Sequence, residues 1–123
     1  MAHNPEFLKL VDTAKSQIKE TTVEEVYRRQ LQGDRFVFID VREDDEWSET
    51  RASGAIHIGK GVLERDIETK IPDKGAEIIL YCGGGFRSAL AAESIQRMGY
   101  ERVISMDGGI RAWKALGLPT QHG

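Results

Sequence analysis

The single cysteine of the chain, Cys82, is followed by three glycines, Phe86 and Arg87. Glycine adopts positive φ without steric cost, so three in a row allow the backbone to curl and point successive N–H groups inward. Such a turn binds anions, and the arginine adds a rigid fork of donors to it. A cysteine in these surroundings is stabilised as the thiolate, which is the nucleophilic form. The pattern therefore favours a reactive cysteine in an anion-binding loop over a buried structural one.

Two apolar runs of strand length, at residues 36–39 and 77–81, each precede residues that could do chemistry. Helical patterns alternate with the strands, which predicts an α/β fold with a central parallel sheet flanked by helices on both faces. Ligands bind such sheets outside the carboxyl ends of the strands. Asp40 and Arg42 are therefore expected at the same edge as Cys82. They could form an ion pair that braces the loop or directs a charge at its entrance, or they could be an ordinary cap and surface charge.

Apolar spacing and capping residues predict where the other elements lie. The predicted helices cover residues 5–20, 23–32, 43–49, 62–70, 86–98 and a last segment from 107, and two further short strands cover 54–58 and 102–105. Thr22 and Glu25 are expected to form a capping box for the second helix, with Leu31 facing inward. Asp107 is expected to be the N-cap of the last helix.

The bulk properties restrict the class of protein. A chain of 123 residues with net charge −3 is expected to bind neither nucleic acid nor an anionic membrane surface. One cysteine excludes an internal disulfide, and the sequence has no secretory signal or membrane-length apolar run, so we expect a cytoplasmic location. The cysteine and three scattered histidines match no zinc spacing, so neither a metal nor an organic cofactor is expected.

The chemistry that suits this loop is sulfur transfer. A thiolate that attacks a sulfur donor becomes a persulfide, Cys–S–S⁻, and the loop and the following helix N-terminus would hold its terminal sulfur. This step requires no neighbouring base. Ser88 either donates a hydrogen bond to the loop or is an ordinary first-turn serine. We interpret His57 as structural and Arg65 as part of a solvated helix face, with attraction of an anionic donor as the alternative for Arg65.

Four segments match the signatures of one family in the expected order. They are Phe38–Arg42 with Glu46-Trp47, Gly54–Ile58, Cys82–Ser88, and Asp107–Gly109 with Ala112-Trp113. Over residues 22–120 the chain resembles the rhodanese family, specifically the single-domain thiosulfate sulfurtransferases. Residues 1–21 are expected to form an N-terminal amphipathic helix within a single compact domain. One departure is Arg51-Ala52-Ser53, where the family often has His-Ile-Pro, and an altered loop is expected there.

The resemblance implies a role for each residue of the loop region. Cys82 would carry the persulfide, the N–H groups of residues 83–87 would form the cradle, and Arg87 would bind the donor anion. The implied substrate-binding residues are Gly83, Gly84, Gly85, Phe86, Ser88, Asp40 and Arg42. The implied partners are a small sulfur donor such as thiosulfate and a thiol or cyanide acceptor. The apolar stripe of the first helix also fits a homodimer.

Two other functions remain open. Related cysteine-loop phosphatases and arsenate reductases have one residue more between cysteine and arginine, and the shorter loop here suits a single extra sulfur better than a tetrahedral oxyanion. A terminal arginine also fits thiosulfate better than mercaptopyruvate. The third reading is a non-catalytic binding module on the same fold. Such modules commonly lack the cysteine, whereas Cys82 and Arg87 are both present.

Overall fold

The computed structural model describes residues 3–123 and contains six α-helices in that range. The helices are α1 (Pro5–Lys15), α2 (Val23–Leu31), α3 (Asp44–Glu49), α4 (Leu63–Lys70), α5 (Phe86–Arg97) and α6 (Gly109–Ala115). The strands are β1 (Lys19–Thr21), β2 (Val37–Asp40), β3 (Thr50–Ala52), β4 (Ile56–His57), β5 (Glu77–Tyr81), β6 (Arg102–Met106) and β7 (Thr120–His122). A 3₁₀ turn at Lys60–Val62 precedes α4. Within the described residues, no helix is both long and apolar enough to cross a membrane.

The central sheet has five parallel strands in the order β1-β6-β5-β2-β4, so β5 lies in the middle. Side chains of β5 alternate between two apolar clusters on opposite faces of the sheet. Ile78 and Leu80 join the cluster that also contains α4 and α5 side chains, whereas Ile79 and Tyr81 join the cluster formed with α2 and α6. The predicted α/β fold is therefore confirmed, and Cys82 follows on the α5 side.

The N-terminal segment differs from its prediction. The helix expected over residues 5–20 ends at Lys15, and Lys19–Thr21 forms the edge strand β1 beside β6. This strand is only three residues long and mostly exposed, so it carries no apolar alternation that could reveal it. The helix itself packs as predicted, because Val11 and Ala14 are buried.

The predictions for the two ends of α2 differ in outcome. Thr22 caps α2, since its side chain accepts a hydrogen bond from the Glu25 N–H at 3.1 Å. The reciprocal half of the predicted capping box does not form, because the Glu25 carboxylate pairs with Arg28 instead. Leu31 does not face inward and is 70% exposed, because the buried side of this short helix is confined to Val23 and Val26 in its first turns.

Asp107, the predicted N-cap of the last helix, does not take that position. Gly108 takes that position with φ +85°, a left-handed conformation that glycine adopts without strain.

The segment that departs from the family pattern is part of a second, two-stranded sheet. Strand β3 pairs antiparallel with β7, with Arg51 opposite Gln121. The Arg51 guanidinium lies 4.7 Å from the ring centre of Trp47 and donates a hydrogen bond to the carbonyl of that residue. Arg51 and Ala52 of the altered segment thus lie in a strand, and Ser53 lies in the turn that follows it.

Candidate active site

The sulfur of Cys82 lies at the carboxyl end of the central strand and accepts backbone hydrogen bonds. The donors are the N–H groups of Gly85 at 3.1 Å and Ser88 at 3.3 Å. Ser88 is in the first turn of α5, where N–H groups lack a partner within the helix. Gly85 belongs to the predicted cradle of residues 83–87, and Ser88 lies one residue beyond it. These donors favour negative charge on the sulfur. Binding of a terminal persulfide sulfur by that cradle stays a prediction.

The three glycines of the loop differ in how strictly their positions exclude a side chain. Gly85 has φ +108°, and a Cβ there would lie 2.8 Å from the Asp107 carboxylate. A Cβ on Gly83 would lie 3.1 Å from the Arg87 guanidinium, and one on Gly84 would lie 3.0 Å from the Arg111 guanidinium. Both guanidinium groups are the ends of flexible side chains that can shift, so Gly85 is the position of the three that requires glycine.

The start of α6 holds the carbonyl side of the loop. The N–H of Ile110 donates to the Cys82 carbonyl at 2.9 Å, and the N–H of Arg111 donates to the Gly83 carbonyl at 3.1 Å. A Cβ on Gly109 would lie 2.3 Å from the Cys82 carbonyl oxygen, so only glycine allows this approach. The Asp107–Gly109 signature thus supports the loop from behind.

Ser88 is a first-turn helix serine that contacts the Cys82 sulfur, and donation by its hydroxyl to the loop stays a prediction. Its N–H is a first-turn helix donor to the sulfur, and its buried hydroxyl lies 3.6 Å from the same atom. The hydroxyl also shares a hydrogen bond of 2.8 Å with the Ser105 hydroxyl on β6. The serine is therefore fixed in orientation beside the sulfur.

Arg87 lies at the site but is held by a partner that sequence reasoning missed. Its guanidinium makes a bidentate ion pair with Glu46 of α3, with N–O distances of 2.8 and 3.1 Å. Hydrogen bonding to Arg87 lowers the pKa of Glu46 to about 2. The pair neutralises the charge that was predicted to bind the donor anion. A sequence clue existed, since Glu46 belongs to the segment that follows Asp40 at the same sheet edge.

Asp40 and Arg42 form the predicted ion pair, and both are buried. The Arg42 Nη2 lies 2.8 Å from the Asp40 carboxylate and donates to the Thr50 carbonyl at 2.6 Å. Neither residue lines the cavity beside Cys82. The ion pair therefore links the end of β2 to the start of β3, while bracing of the cysteine loop and contact with substrate both stay predictions.

His57 is a structural histidine, as expected. Its Nε2 lies 2.8 Å from the Arg42 carbonyl oxygen, and its ring stacks on Trp47 at 5.0 Å between centroids. Arg65 is 73% exposed and pairs with its neighbour Asp66, as a solvated helix face requires.

A cavity of about 410 Å³ opens above the cysteine. It is lined by His3, Phe7, Cys82, Gly84, Phe86, Arg87 and Arg111. Phe86 is thus a wall of the pocket. Within residues 3–123, no carboxylate forms an ion pair with Arg111, which is exposed on α6. His3, Phe7 and Arg111 were not predicted, because only tertiary packing brings α1 and α6 to this loop.

The comparisons with known proteins agree with this geometry. The family model described as the rhodanese-like domain matches residues 22–116, which is most of the chain. The chain belongs to the rhodanese-like domain family. The four segments recognised in the sequence all lie within the matched range.

Several relatives in this family carry names of sulfur-transfer enzymes. The chain is 32% identical to the thiosulfate sulfurtransferase GlpE of Coxiella burnetii, over 64% of this chain and 72% of that protein. It is 34% identical to the thiosulfate sulfurtransferase PspE of Escherichia coli, over 58% of this chain and 68% of that protein. The chain also spans about half the length of two longer curated relatives, 58% of one and 52% of the other.

A solved structure from Rhodopseudomonas palustris is similar over its full length. It has a TM-score of 0.87 and 27% identity, and the alignment covers 98% of each chain. That protein is described as one of unknown function and a possible tyrosine phosphatase. The fold is thus shared across nearly all of the described chain, including most of the segment before residue 22.

Proposed function

We propose that this protein is a sulfurtransferase in which Cys82 carries sulfane sulfur as a persulfide. The observation that carries the proposal is the Cys82 sulfur itself. It accepts hydrogen bonds from the backbone N–H groups of Gly85 and Ser88, at 3.1 and 3.3 Å, and it borders a cavity of about 410 Å³. Membership of the rhodanese-like domain family and the similarity to thiosulfate sulfurtransferases support the same function.

In the first half-reaction, the Cys82 thiolate attacks the outer sulfur of thiosulfate. A new S–S bond forms on Cys82, the bond between the two donor sulfurs breaks, and its electron pair leaves with sulfite. The exposed Arg111 guanidinium and the loop N–H groups supply the positive potential that attracts the anionic donor. No proton moves in this step, so no general base is needed.

In the second half-reaction, an acceptor attacks the terminal sulfur of the persulfide. A thiolate leaves as an organic persulfide, and cyanide leaves as thiocyanate, while the electron pair of the broken S–S bond returns to Cys82. The N–H donors around the loop stabilise the sulfur anion in both forms of the enzyme. This is covalent catalysis divided into two simpler transfers.

Intact-protein mass spectrometry after brief incubation with thiosulfate tests the proposal. The wild type is expected to gain the mass of one sulfur atom and to lose it on addition of cyanide or glutathione. Cys82→Ser, checked for native circular dichroism, is expected to gain none. A folded, reduced wild type that gains no sulfur from thiosulfate or from an organic persulfide would overturn the proposal and favour a binding module.

A second candidate is phosphatase activity, which the similarity to the Rhodopseudomonas palustris structure favours. The ion pair between Arg87 and Glu46 argues against it, because a phosphate would have to displace a carboxylate from the arginine. Incubation with p-nitrophenyl phosphate tests this alternative. We expect no hydrolysis that depends on Cys82, and hydrolysis lost in Cys82→Ser would reverse the order of the two candidates.

A further inference from the structure

One wall of the cavity above Cys82 is aromatic, and part of it comes from outside the matched family segment. Phe7 on α1 lies 6.2 Å from Phe86 between ring centroids, and His3 lies 4.8 Å from Phe86 and 5.4 Å from Phe7. The family match begins at residue 22. The three rings, defined here as the aromatic wall, are thus completed by the N-terminal segment.

The packing of α1 holds this wall in place. Phe7 lies one turn before Val11, on the helix face that buries Val11 and Ala14. At the other end of the helix, Lys15 pairs with Asp107 at 3.2 Å and lies 5.6 Å from the Phe86 ring centre. Because both ends of α1 are tied to the site, Phe7 is an ordered part of the pocket.

Inorganic thiosulfate makes poor use of such a wall, since a small dianion gains nothing from apolar rings and loses hydration beside them. An apolar group attached to the sulfur would bury its surface against the rings and gain from the hydrophobic effect. We propose that the aromatic wall makes the pocket selective for donors whose sulfane sulfur is attached to an apolar, planar organic group. This inference rests on the proposed sulfurtransferase function and adds the substrate class.

An aromatic thiosulfonate, R–SO₂–S⁻, is a suitable probe. The Cys82 thiolate attacks its terminal sulfur, the bond between that sulfur and the sulfonyl sulfur breaks, and the electron pair leaves with the sulfinate R–SO₂⁻. The R group then lies against Phe7 and Phe86, while the exposed Arg111 faces the sulfonyl oxygens. Benzenethiosulfonate and methanethiosulfonate share this reactive head and differ in the size and planarity of R.

The experiment compares kcat/KM for these two donors, with cyanide as the acceptor throughout. In a two-step reaction of this kind, kcat/KM for the donor reports only the donor half-reaction. Phe7→Ala is expected to reduce the phenyl-to-methyl ratio of kcat/KM by about tenfold relative to wild type. Taking the change in the ratio cancels the different intrinsic reactivities of the two donors.

Two further variants keep the test decisive. Leu10→Ala removes an exposed apolar side chain from the same helix and is expected to keep the wild-type ratio. Phe7→Leu retains apolar bulk, and a reduction of about threefold is expected in that variant. It replaces Phe7→Ala if circular dichroism shows that the alanine variant is misfolded.

An unchanged phenyl-to-methyl ratio in folded Phe7→Ala and Phe7→Leu would overturn the inference. Equal losses with both donors would also overturn it, because Phe7 would then support the fold rather than contact the donor. If mass spectrometry shows that neither donor loads wild-type Cys82 and that thiosulfate and an organic persulfide also fail, the proposed function itself is wrong. If thiosulfate loads Cys82 but Phe7→Ala and Phe7→Leu leave the phenyl-to-methyl ratio unchanged, the proposed function holds and only the selectivity is wrong.

Discussion

The floor and the rim of the pocket are built by different means. The floor, residues 82–85 with Ser88, holds the sulfur through backbone N–H groups, and the start of α6 binds its carbonyls. The rim, His3, Phe7 and Arg111, consists of side chains that come from the N-terminal segment and α6. The floor depends on glycine where the backbone makes close contacts, whereas the properties of the rim depend on the aromatic rings and the charge of its side chains. We infer that the floor provides the chemistry and the rim selects the donor.

The buried ion pair beneath this edge gives the largest expected effect. Arg42→Met leaves the Asp40 carboxylate buried without its partner and the Thr50 carbonyl without its donor. The free energy of unfolding in urea is expected to fall by about 3–5 kcal/mol. Arg28→Met is the control, because Arg28 pairs with Glu25 on an exposed helix face and its loss should change stability little. Lost activity with unchanged stability would instead show that Arg42 binds the donor.

Gly109→Ala tests the support of the floor. The new Cβ would collide with the Cys82 carbonyl, so stability should fall by about 3 kcal/mol and sulfur transfer by at least tenfold. Urea unfolding and kcat measure the two effects. Gly117→Ala is the matched control, because Gly117 also has positive φ but a Cβ there would meet no atom within 4 Å. Equal losses in both variants would mean that backbone strain alone matters and that contact with the floor does not.

The variant Glu46→Gln tests whether Arg87, as well as Arg111, binds the donor anion. The pKa of Glu46 is lowered from 4.5 to about 2 by Arg87, so the pair stabilises the fold above pH 4.5 and loses this contribution as the pH falls toward 2. Both side chains are about one-third exposed, so the variant should lose only about 1 kcal/mol near neutral pH. That difference from wild type should disappear in urea unfolding near pH 2.

The same variant has a kinetic consequence. Removing the carboxylate charge leaves Arg87 available to an anion, so KM for thiosulfate should fall by about threefold. Steady-state kinetics near neutral pH provide the measurement. A rise in KM would show that Glu46 positions Arg87 for the donor and that Arg87 belongs with the rim in substrate selection.

Arg111→Gln should give the smallest effect, because Arg111 is exposed and its charge is screened. We expect kcat/KM for thiosulfate to fall by about twofold at low ionic strength and by less at high salt. Lys114→Gln removes the same charge from the exposed side of α6, away from the cavity, and serves as the control. If kcat/KM falls equally in both variants, with the same salt dependence, Arg111 acts only through the net charge of the protein and does not contact the donor.

The sequence alone determined the floor of the pocket and the central sheet. The buried β5 run, the glycines after Cys82 and the helical spacing that follows all act through neighbouring residues, because φ preferences and first-turn hydrogen bonds are local. The prediction that Asp40 pairs with Arg42 succeeded for the same reason, since only one residue separates them. Arg87 lines the cavity, but its ion pair with Glu46 was not foreseen, and its role in binding the donor stays a prediction.

Tertiary structure decided the rim and the state of the charges. Glu46 is 41 positions from Arg87, and Lys15 is 92 positions from Asp107, so neither pair leaves a local signal. Strand β1 exists because β6 offers its edge, and Phe7 meets Phe86 because α1 packs on the α5 side of the sheet. Such contacts depend on how whole elements pack, which no short stretch of residues encodes.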